Sequence, residues 1–521
     1  MPTIEVSYKE LNKLVGRKVK LDDLPFAKCL LEEKDKDTLK IEVSDNVRAD
    51  LLTIEGIARE LKGKYKLEKG IPKYKQLKPS IKIIVDKSVL NVRPYIGGFL
   101  VKNVKITEQF LKYLVQVQEK IATTYGLRRK RISIGLYDFS RVNPPLHYTT
   151  EKPTFKFEPL GYNKKMSLNQ ILNEHEKGIE YGYILKGYSK YPIFKDSRGE
   201  VLSFPPIINS NYAGRLEPGK KQVFVEVTGL DLENVITIVN VLAQMFYDRG
   251  YTIIPSRVVY PNKTITTPTL RKQTMKIDMK ALNKMAGLNL SPTTVKTLLR
   301  MKRYDIKNNT VSIPFYRDDI IHPVDVYEDV LIALDYNNIP PEPLKDFTVG
   351  KLNDTTIIEN KARDLASAAG FTEITSAILI NPTLLQKPFA KIENPTSGNY
   401  AALRNSIVPS LLIFESKNKH VDYPHKVFEV GEVVVKDNKS ETMYRTEIRL
   451  GLLYSDTKVD FTEFYSTVLK IAECLGIKMN LSQKAKEQYQ IYAESKHGFV
   501  GMVDNNTAVG EIIITSVSNP S

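Results

Sequence analysis

Apolar residues alternate at Val311, Ile313 and Phe315 and then change period, recurring three and four apart at Val326, Val330, Ala333 and Leu334. The first spacing predicts a strand with one apolar face. The second predicts a helix over about 323–335, begun by Pro323 where a missing N–H costs nothing. A turn of about 100° per residue places Asp325, Glu328 and Asp329 together on a helix face away from the apolar one. Asp319, upstream near the end of the strand, can bring a fourth carboxylate to the same place.

The same switch between periods two and 3.6 runs through the rest of the chain. Alternation at 3–6 and 39–43 predicts strands, and helices are expected over 8–15, closed by Gly16, and over 54–61, an ordinary amphipathic segment. A Lys-rich stretch at 62–79 with Gly70 and Pro72 reads as a linker. Strands at 81–85, 98–104 and 132–137 surround a long helix at 107–125, apolar at Phe110, Leu114, Val117 and Ile121. After the sequence VLSFPPIINSNYAGRL a further strand covers 223–229, and 255–268 has the Pro and Thr content of a connector. Helices follow at 278–286 and 292–301, separated by Gly287, Asn289 and Ser291-Pro292 as a C-cap and a fresh N-terminus would be. The last part has helices at 358–369 and 461–475 among strands at 373–380, 426–435, 447–454 and 499–503, an antiparallel sheet with helices. The fold class expected is a multidomain α+β protein.

Composition narrows the function. A chain of 521 residues that is 42% hydrophobic holds several ordinary cores. Its longest apolar run, 235–246, is broken by Asn240 and Gln244 and is shorter than the ~20 residues a membrane span needs. The start, MPTIEVSYKELNKLVG, lacks an apolar signal core, so export is not expected. Cys29 and Cys474 stand far apart without nearby Cys or His, which excludes a zinc framework and makes a reduced cytosol the expected location. A net charge of +16 and a pI near 9.3 imply attraction to polyanions. Arg128-Arg129-Lys130-Arg131 reads either as a solvated turn or as a contact to a phosphate backbone.

Two groups of residues carry candidate chemistry. Acids in a first helical turn offset the positive end of the helix dipole, worth about 0.3–1 kcal/mol each. Acids of the helix start such as Asp325 fit that reading, while Asp319, Asp325, Glu328 and Asp329 together fit a hard-cation site built from oxygen alone, suited to magnesium rather than zinc. Within 223–229, Glu226 and Thr228 point the same way, opposite Val223, Val225 and Val227, and polar groups so placed either meet solvent or line a site.

The pattern Arg317-x-Asp319-Ile320, then Asp325, Glu328 and Asp329, then Tyr336-Asn337-Asn338-Ile339-Pro340, resembles the metal-binding domain of the phenylalanyl-tRNA synthetase β-subunit family in its archaeal and eukaryotic form. The segments NVRADLLTIEGIARELKG, PPIIN, ENPTSGNYAALRNSIVPSLL and HKVFEVGEVV extend the likeness over nearly the whole chain. The resemblance implies four parts: an N-terminal structural domain at 1–75, an editing domain at 80–261 that hydrolyses tyrosine wrongly attached to tRNA, a metal-site domain at 270–345, and a catalytically inactive module at 346–521 with the class II synthetase fold. It implies Mg2+ at Asp319, Asp325, Glu328 and Asp329, and an editing pocket with Ser203, Asn209, Glu226 and Thr228. Where archaeal relatives can carry Asp on that strand, this chain has Glu226. The implied partners are an α subunit in an α2β2 heterotetramer and tRNA(Phe), with ATP and phenylalanine bound through α.

The last module has Arg404 but no Gly-x-Gly-x-x-x-Arg segment in 440–521, so Arg404 is expected to anchor structure or subunit contacts rather than ATP. Beyond Gly510-Glu511 the ending GEIIITSVSNPS departs from the family pattern. Two rivals stand beside this reading: a free-standing hydrolase of misacylated tRNA, which leaves 346–521 without a role, and a non-catalytic RNA-binding scaffold, which fits the charge.

Overall fold

The computed structural model describes residues 1–74, 77–270, 273–344, 348–479 and 490–516. It divides into two compact units, 1–342 and 343–521, each with cores of its own, and the chain is a multidomain α+β protein.

In the first unit, Thr3–Ser7, Cys29–Asp35 and Thr38–Val43 make a three-stranded antiparallel sheet whose inward residues, among them Ile4, Val6, Leu39 and Ile41, are buried. The helix Tyr8–Val15 starts on Ser7, whose side chain accepts from Glu10 N–H, and ends on Gly16 at φ 85°. Helix Ile54–Lys64 forms where it is expected, three residues longer, but its charged positions are not left to solvent: Glu55, Arg59 and Glu60 are all buried. Nor is 62–79 a loose linker in its described part, because Gly70 N–H donates to Arg300 C=O at 2.7 Å and the Tyr74 hydroxyl reaches Gln244.

A ten-stranded mixed sheet forms the middle of this unit. Its strands lie in the order Ile208–Asn209, Val201–Phe204, Tyr191–Lys195, Leu146–Glu151, Ile81–Val85, Thr252–Val259, Tyr95–Lys102, Gln222–Gly229 and Ile132–Asp138, with Thr264–Thr267 beside Thr252–Val259. One face carries the helices Glu108–Thr123 and Leu232–Asp248, which share a core with Phe99, Val101, Val225 and Val227. Each such aliphatic side chain contributes about 1.5–3 kcal/mol on burial. The polar residues that interrupt the apolar run are satisfied inside it: Asn240 donates to Phe315 C=O at 3.0 Å and accepts from Thr269 N–H at 2.9 Å.

The strands Gln273–Lys276, Asp305–Lys307 and Thr310–Ile313 form a third sheet, with helices Met279–Ala286, Pro292–Met301 and Pro323–Leu334. Ser291 caps Thr294 N–H with Pro292 in the first turn, and Gly287 turns left-handed at φ 65°, as the sequence predicts.

In the second unit the strands run Thr372–Glu373, His425–Lys436, Tyr444–Ser455, Thr507–Ile513, Gly498–Asp504 and Gln490–Ser495. All neighbours are antiparallel except the first pair. Helices Asp354–Ala368 and Phe461–Cys474 cover one face through Ala362, Ala366, Phe464 and Val468. The single strand expected over 373–380 is two short ones, Thr372–Glu373 and Leu379–Ile380, which pair in different sheets. The departure from the family pattern after Glu511 is partly described, as strand to Ile513 and a turn of 3-10 helix at Ile514–Ser516; 517–521 lie outside the described residues.

Candidate functional site

The mixed sheet curls until strands from its two ends border one cavity of about 340 Å³. From one end come Ser133, Ile134, Leu136 and Glu226; from the other come Ser203, Pro205, Pro206 and Asn209. Ser203 and Asn209 are register partners across an antiparallel pair, so the sequence VLSFPPIIN folds back on itself to present both. The turn between them is held by Arg129, which also lines the cavity, donates to Ile207 C=O at 2.8 Å and to Glu119 at 2.8 Å, and lies over the Tyr181 ring. Arg129 is buried, so the basic run at 128–131 is not simply a solvated turn.

Glu226 is 2% exposed, and the strand that carries it is buried on both faces, contrary to the solvent-facing alternative for its polar side. Its register partner across the sheet is Gly135. The Tyr137 hydroxyl donates to Glu226 Oε2 at 2.6 Å, while Glu226 Oε1 has no hydrogen-bond partner in the protein. Burial pushes the carboxyl up to about 7, against the lowering effects of the Tyr137 hydrogen bond, the Arg93 charge and the nearby Thr228 hydroxyl, which lies close to the carboxyl without a well-formed hydrogen bond. Ser203 Oγ, also buried, lies beside Tyr137 without a well-formed hydrogen bond. Two residues that each carry a buried polar atom without a well-formed hydrogen bond line a cavity otherwise walled by Leu111, Val115, Ile134, Leu136 and Ile207. A few fixed polar groups on apolar walls are the usual make-up of a small-ligand site.

Thr228 is not brought to the cavity with the others. It lies behind the wall, its Oγ1 2.9 Å from Arg93 Nε and 2.9 Å from Ser133 Oγ, and it is Ser133 that lines the space. Tyr137, Ser133 and Arg93 were not singled out by sequence reasoning, and Arg129 was noted only as part of the basic run. The first three read as ordinary strand or loop positions, and only the basic run around Arg129 left a signal.

The four acids at 319–329 are each taken up by the chain itself. Asp325 closes a capping box on its own helix, accepting from Ile321 N–H at 2.8 Å and His322 N–H at 2.7 Å, which is the helix-start reading of that residue. Asp319 accepts two hydrogen bonds from Arg317, both at 2.6 Å. Asp329 is fully buried, bonded to the Tyr304 hydroxyl at 2.6 Å and Arg317 at 2.9 Å, with Lys302 Nζ at 3.5 Å. Burial alone would raise the Asp329 carboxyl, but Arg317, Lys302 and Arg48 together hold it well below the usual range. Glu328 is half exposed and pairs with Lys28 at 3.0 Å. Among the described residues, no group of three or more His, Cys, Asp or Glu is placed to hold a metal ion. The arrangement in this chain therefore does not fit the magnesium ion that the sequence resemblance implies: the four acids are not gathered on one point, and most of their oxygens face internal cations or amides, Asp329 Oδ1 alone being buried without a hydrogen bond.

These cations extend into a buried network. Arg48 pairs with Asp50 at 2.8 Å and Glu60 at 3.2 Å, Arg59 with Asp50 and Asp248, and Lys302 with Glu60 at 3.1 Å. In the second unit Arg404 is similarly enclosed, donating to Glu429 at 2.8 Å, Ser376 at 2.8 Å and Glu432 C=O at 2.9 Å. No helix among the described residues is long and apolar enough to cross a membrane.

Comparison with known proteins gives the family of the chain. The family described as "tRNA synthetase B5 domain" matches residues 275–336, and "Phenylalanyl tRNA synthetase beta chain CLM domain" matches 339–508. The phenylalanine–tRNA ligase β subunit of Pyrococcus furiosus is 37% identical over 503 residues, covering 93% of this chain and 90% of that protein. That of Archaeoglobus fulgidus is 35% identical over 505 residues, covering 94% and 90%. The crystal structure of an N-terminal fragment of the phenylalanyl-tRNA synthetase β subunit from Pyrococcus horikoshii matches with TM-score 0.63 and 39% identity over 64% of this chain and 100% of the fragment. With relatives of this identity aligned over nearly its full length, the chain belongs to the phenylalanine–tRNA ligase β-subunit family, a subunit of an aminoacyl-tRNA synthetase.

Proposed function

We propose that, within such a ligase, this chain performs hydrolytic proofreading, removing tyrosine wrongly joined to tRNA(Phe). A synthetic site that accepts phenylalanine rejects an isostere bearing one more hydroxyl by only about 10²-fold, so a second site built to recognise that hydroxyl is needed. The cavity bordered by Ser203, Asn209 and Glu226 supports the reading. Its apolar walls suit an aromatic ring, and the free Glu226 Oε1 and Ser203 Oγ are the groups a phenolic hydroxyl can satisfy. Half-buried Lys177 and exposed Arg215, which also border the cavity, supply positive charge for the tRNA phosphates. In the reaction a water oxygen bonds to the ester carbonyl carbon, the bond from that carbon to the ribose oxygen breaks, and the ribose oxygen takes a proton. The chain's part is to hold the aromatic ring and exclude bulk water while this happens.

In this reading 1–75 is structural, 80–261 edits, 270–345 joins the chain to its partner, and 346–521 is an inactive class II-like module. An α subunit carries the site for ATP and phenylalanine, and two copies of each chain form a cytosolic heterotetramer. The observation that carries the proposal is that Ser203 and Glu226, each with a buried oxygen lacking a well-formed hydrogen bond, line one apolar-walled cavity. Glu226→Ala in the assembled enzyme is expected to slow Tyr-tRNA hydrolysis at least tenfold while Phe-tRNA formation continues. Equal deacylation by mutant and wild type would remove Glu226 from the site.

A further inference from the structure

Glu226 has two carboxyl oxygens in different situations, and the difference is made by a residue outside the set matched to the family's pocket. Tyr137 is fully buried in the core beneath the cavity, with ring centroids 6.1 Å from Phe194 and 6.4 Å from Phe224. Enclosed in this close-packed core, the ring has little room in which to move its hydroxyl. That hydroxyl is 2.6 Å from Glu226 Oε2, and burial beside the carboxylate pushes its own pKa well above the ordinary value, so it stays a donor.

Gly135 makes the pair possible. It shares a strand face with Tyr137 and is the register partner of Glu226, and a Cβ at this position would collide with both the Tyr137 hydroxyl and Glu226 Oε2. Glycine at 135 thus clears the one volume in which the phenol and the carboxyl can meet. The other charged and titratable groups acting on Glu226 are Arg93, just before the strand Tyr95–Lys102, and Tyr148, from Leu146–Glu151; neither hydrogen-bonds to it.

We infer that Tyr137 is a positioning residue of this cavity: it ties down one oxygen of Glu226 so that the other faces inward and distinguishes a hydroxyl-bearing aromatic side chain from a plain one. The use of that distinction rests on the proofreading reading, but the distinction itself can be measured without it. Tyr137→Phe removes one oxygen atom and keeps the packed ring. A carboxyl freed from its anchor can rotate to satisfy itself elsewhere, so its hydrogen bond to the ligand loses its fixed geometry.

Binding of tyrosinamide and phenylalaninamide to the full chain, measured by calorimetry, tests this. The wild type is expected to favour tyrosinamide about tenfold, the scale of one hydrogen bond to a partly charged group. Tyr137→Phe is expected to reduce that preference about fivefold or more, with phenylalaninamide affinity unchanged. Added to Glu226→Gln, the same change is expected to do nothing further, because Tyr137 acts through Glu226. Gly135→Ala, which leaves the phenol in place but fills the meeting point, is expected to reproduce the loss and serves as the second probe if Tyr137→Phe folds poorly. A wild type without preference, a Tyr137→Phe variant that keeps it, or an undiminished effect in the Glu226→Gln background overturns the inference. If the preference behaves as described but the assembled enzyme does not deacylate Tyr-tRNA, the positioning role stands and the proofreading reading fails.

Discussion

Arg317 and Asp319 meet in a two-pronged pair, Nε to Oδ1 and Nη2 to Oδ2, both at 2.6 Å, with side chains 1% and 6% exposed. The same Nη2 also reaches Asp329, and Arg48 Nε stands 4.0 Å from Asp319, so the pair joins the start of the helix Pro323–Leu334 to the N-terminal part of the unit. Asp319→Asn keeps the shape and removes the charge that compensates a buried guanidinium. Breaking a buried pair from one side costs about 3 kcal/mol or more, whereas losing a capping carboxylate costs about 1 kcal/mol. Denaturant midpoints are therefore expected to fall about three times further for Asp319→Asn than for Asp325→Asn. Equal shifts would mean that Asp319 is doing nothing beyond what a surface acid does.

Metal removal follows from the same contacts. Because Arg317, Lys302, Lys28 and two backbone amides already answer the four acids, a chelator is expected to leave the melting temperature of the isolated chain unchanged, and terbium is expected to show no saturable luminescence with it. A chelator-induced drop of several degrees would show that these side chains rearrange around a cation.

What the sequence reveals here is what is settled locally. Ser291-Pro292, Gly287 and Gly16 mark helix ends because a cap depends on neighbours a few residues away, and the helices lie where those residues put them. The burial of Arg59 and Glu60 is not legible in the amphipathic segment that carries them, because their partners, Asp248 and Lys302, are far along the chain and only the fold brings them near. Glu226 stood out as an acid within an apolar strand. Tyr137 did not, since a tyrosine in a strand usually signals only packing. Thr228 has the right spacing for the cavity, yet Arg93, a residue no pattern connects to it, holds it behind the wall.

The Glu226 carboxyl gives a pH prediction with a definite sign. Its folded pKa is raised by burial to about 7, so the neutral form is favoured on folding. The stability linked to it is fully present below the unfolded value near 4.5 and is lost as pH rises through about 7. Glu226→Gln is neutral throughout. Relative to this variant, the wild type is expected to lose roughly 3 kcal/mol of unfolding free energy between pH 4.5 and pH 8. Unfolding in urea at the two pH values checks it, and a difference between the proteins that does not change with pH would place the carboxyl in contact with water.

The arginines of the second unit are all engaged within the fold. Activation of an amino acid needs cations against the ATP phosphates, to offset charge as pyrophosphate leaves. Residues 343–521 contain four arginines, Arg363, Arg404, Arg445 and Arg449. Each is paired with carboxylates of its own unit: Arg363 with Glu373, Arg404 with Glu429, Arg445 with Glu447, and Arg449 with Glu447 and Glu511. Arg404, 2% exposed, also donates to Ser376 and to Glu432 C=O, so a phosphate would have to displace several buried hydrogen bonds to reach it. The isolated chain is therefore expected to catalyse no phenylalanine-dependent exchange of pyrophosphate into ATP, and addition of the α subunit is expected to supply it. Arg404→Met is expected to lower stability by about 3 kcal/mol, the cost of stranding Glu429, while the assembled enzyme keeps its ATP KM. Exchange by the chain alone, or an Arg404→Met enzyme of normal stability with a raised ATP KM, would put ATP in this unit.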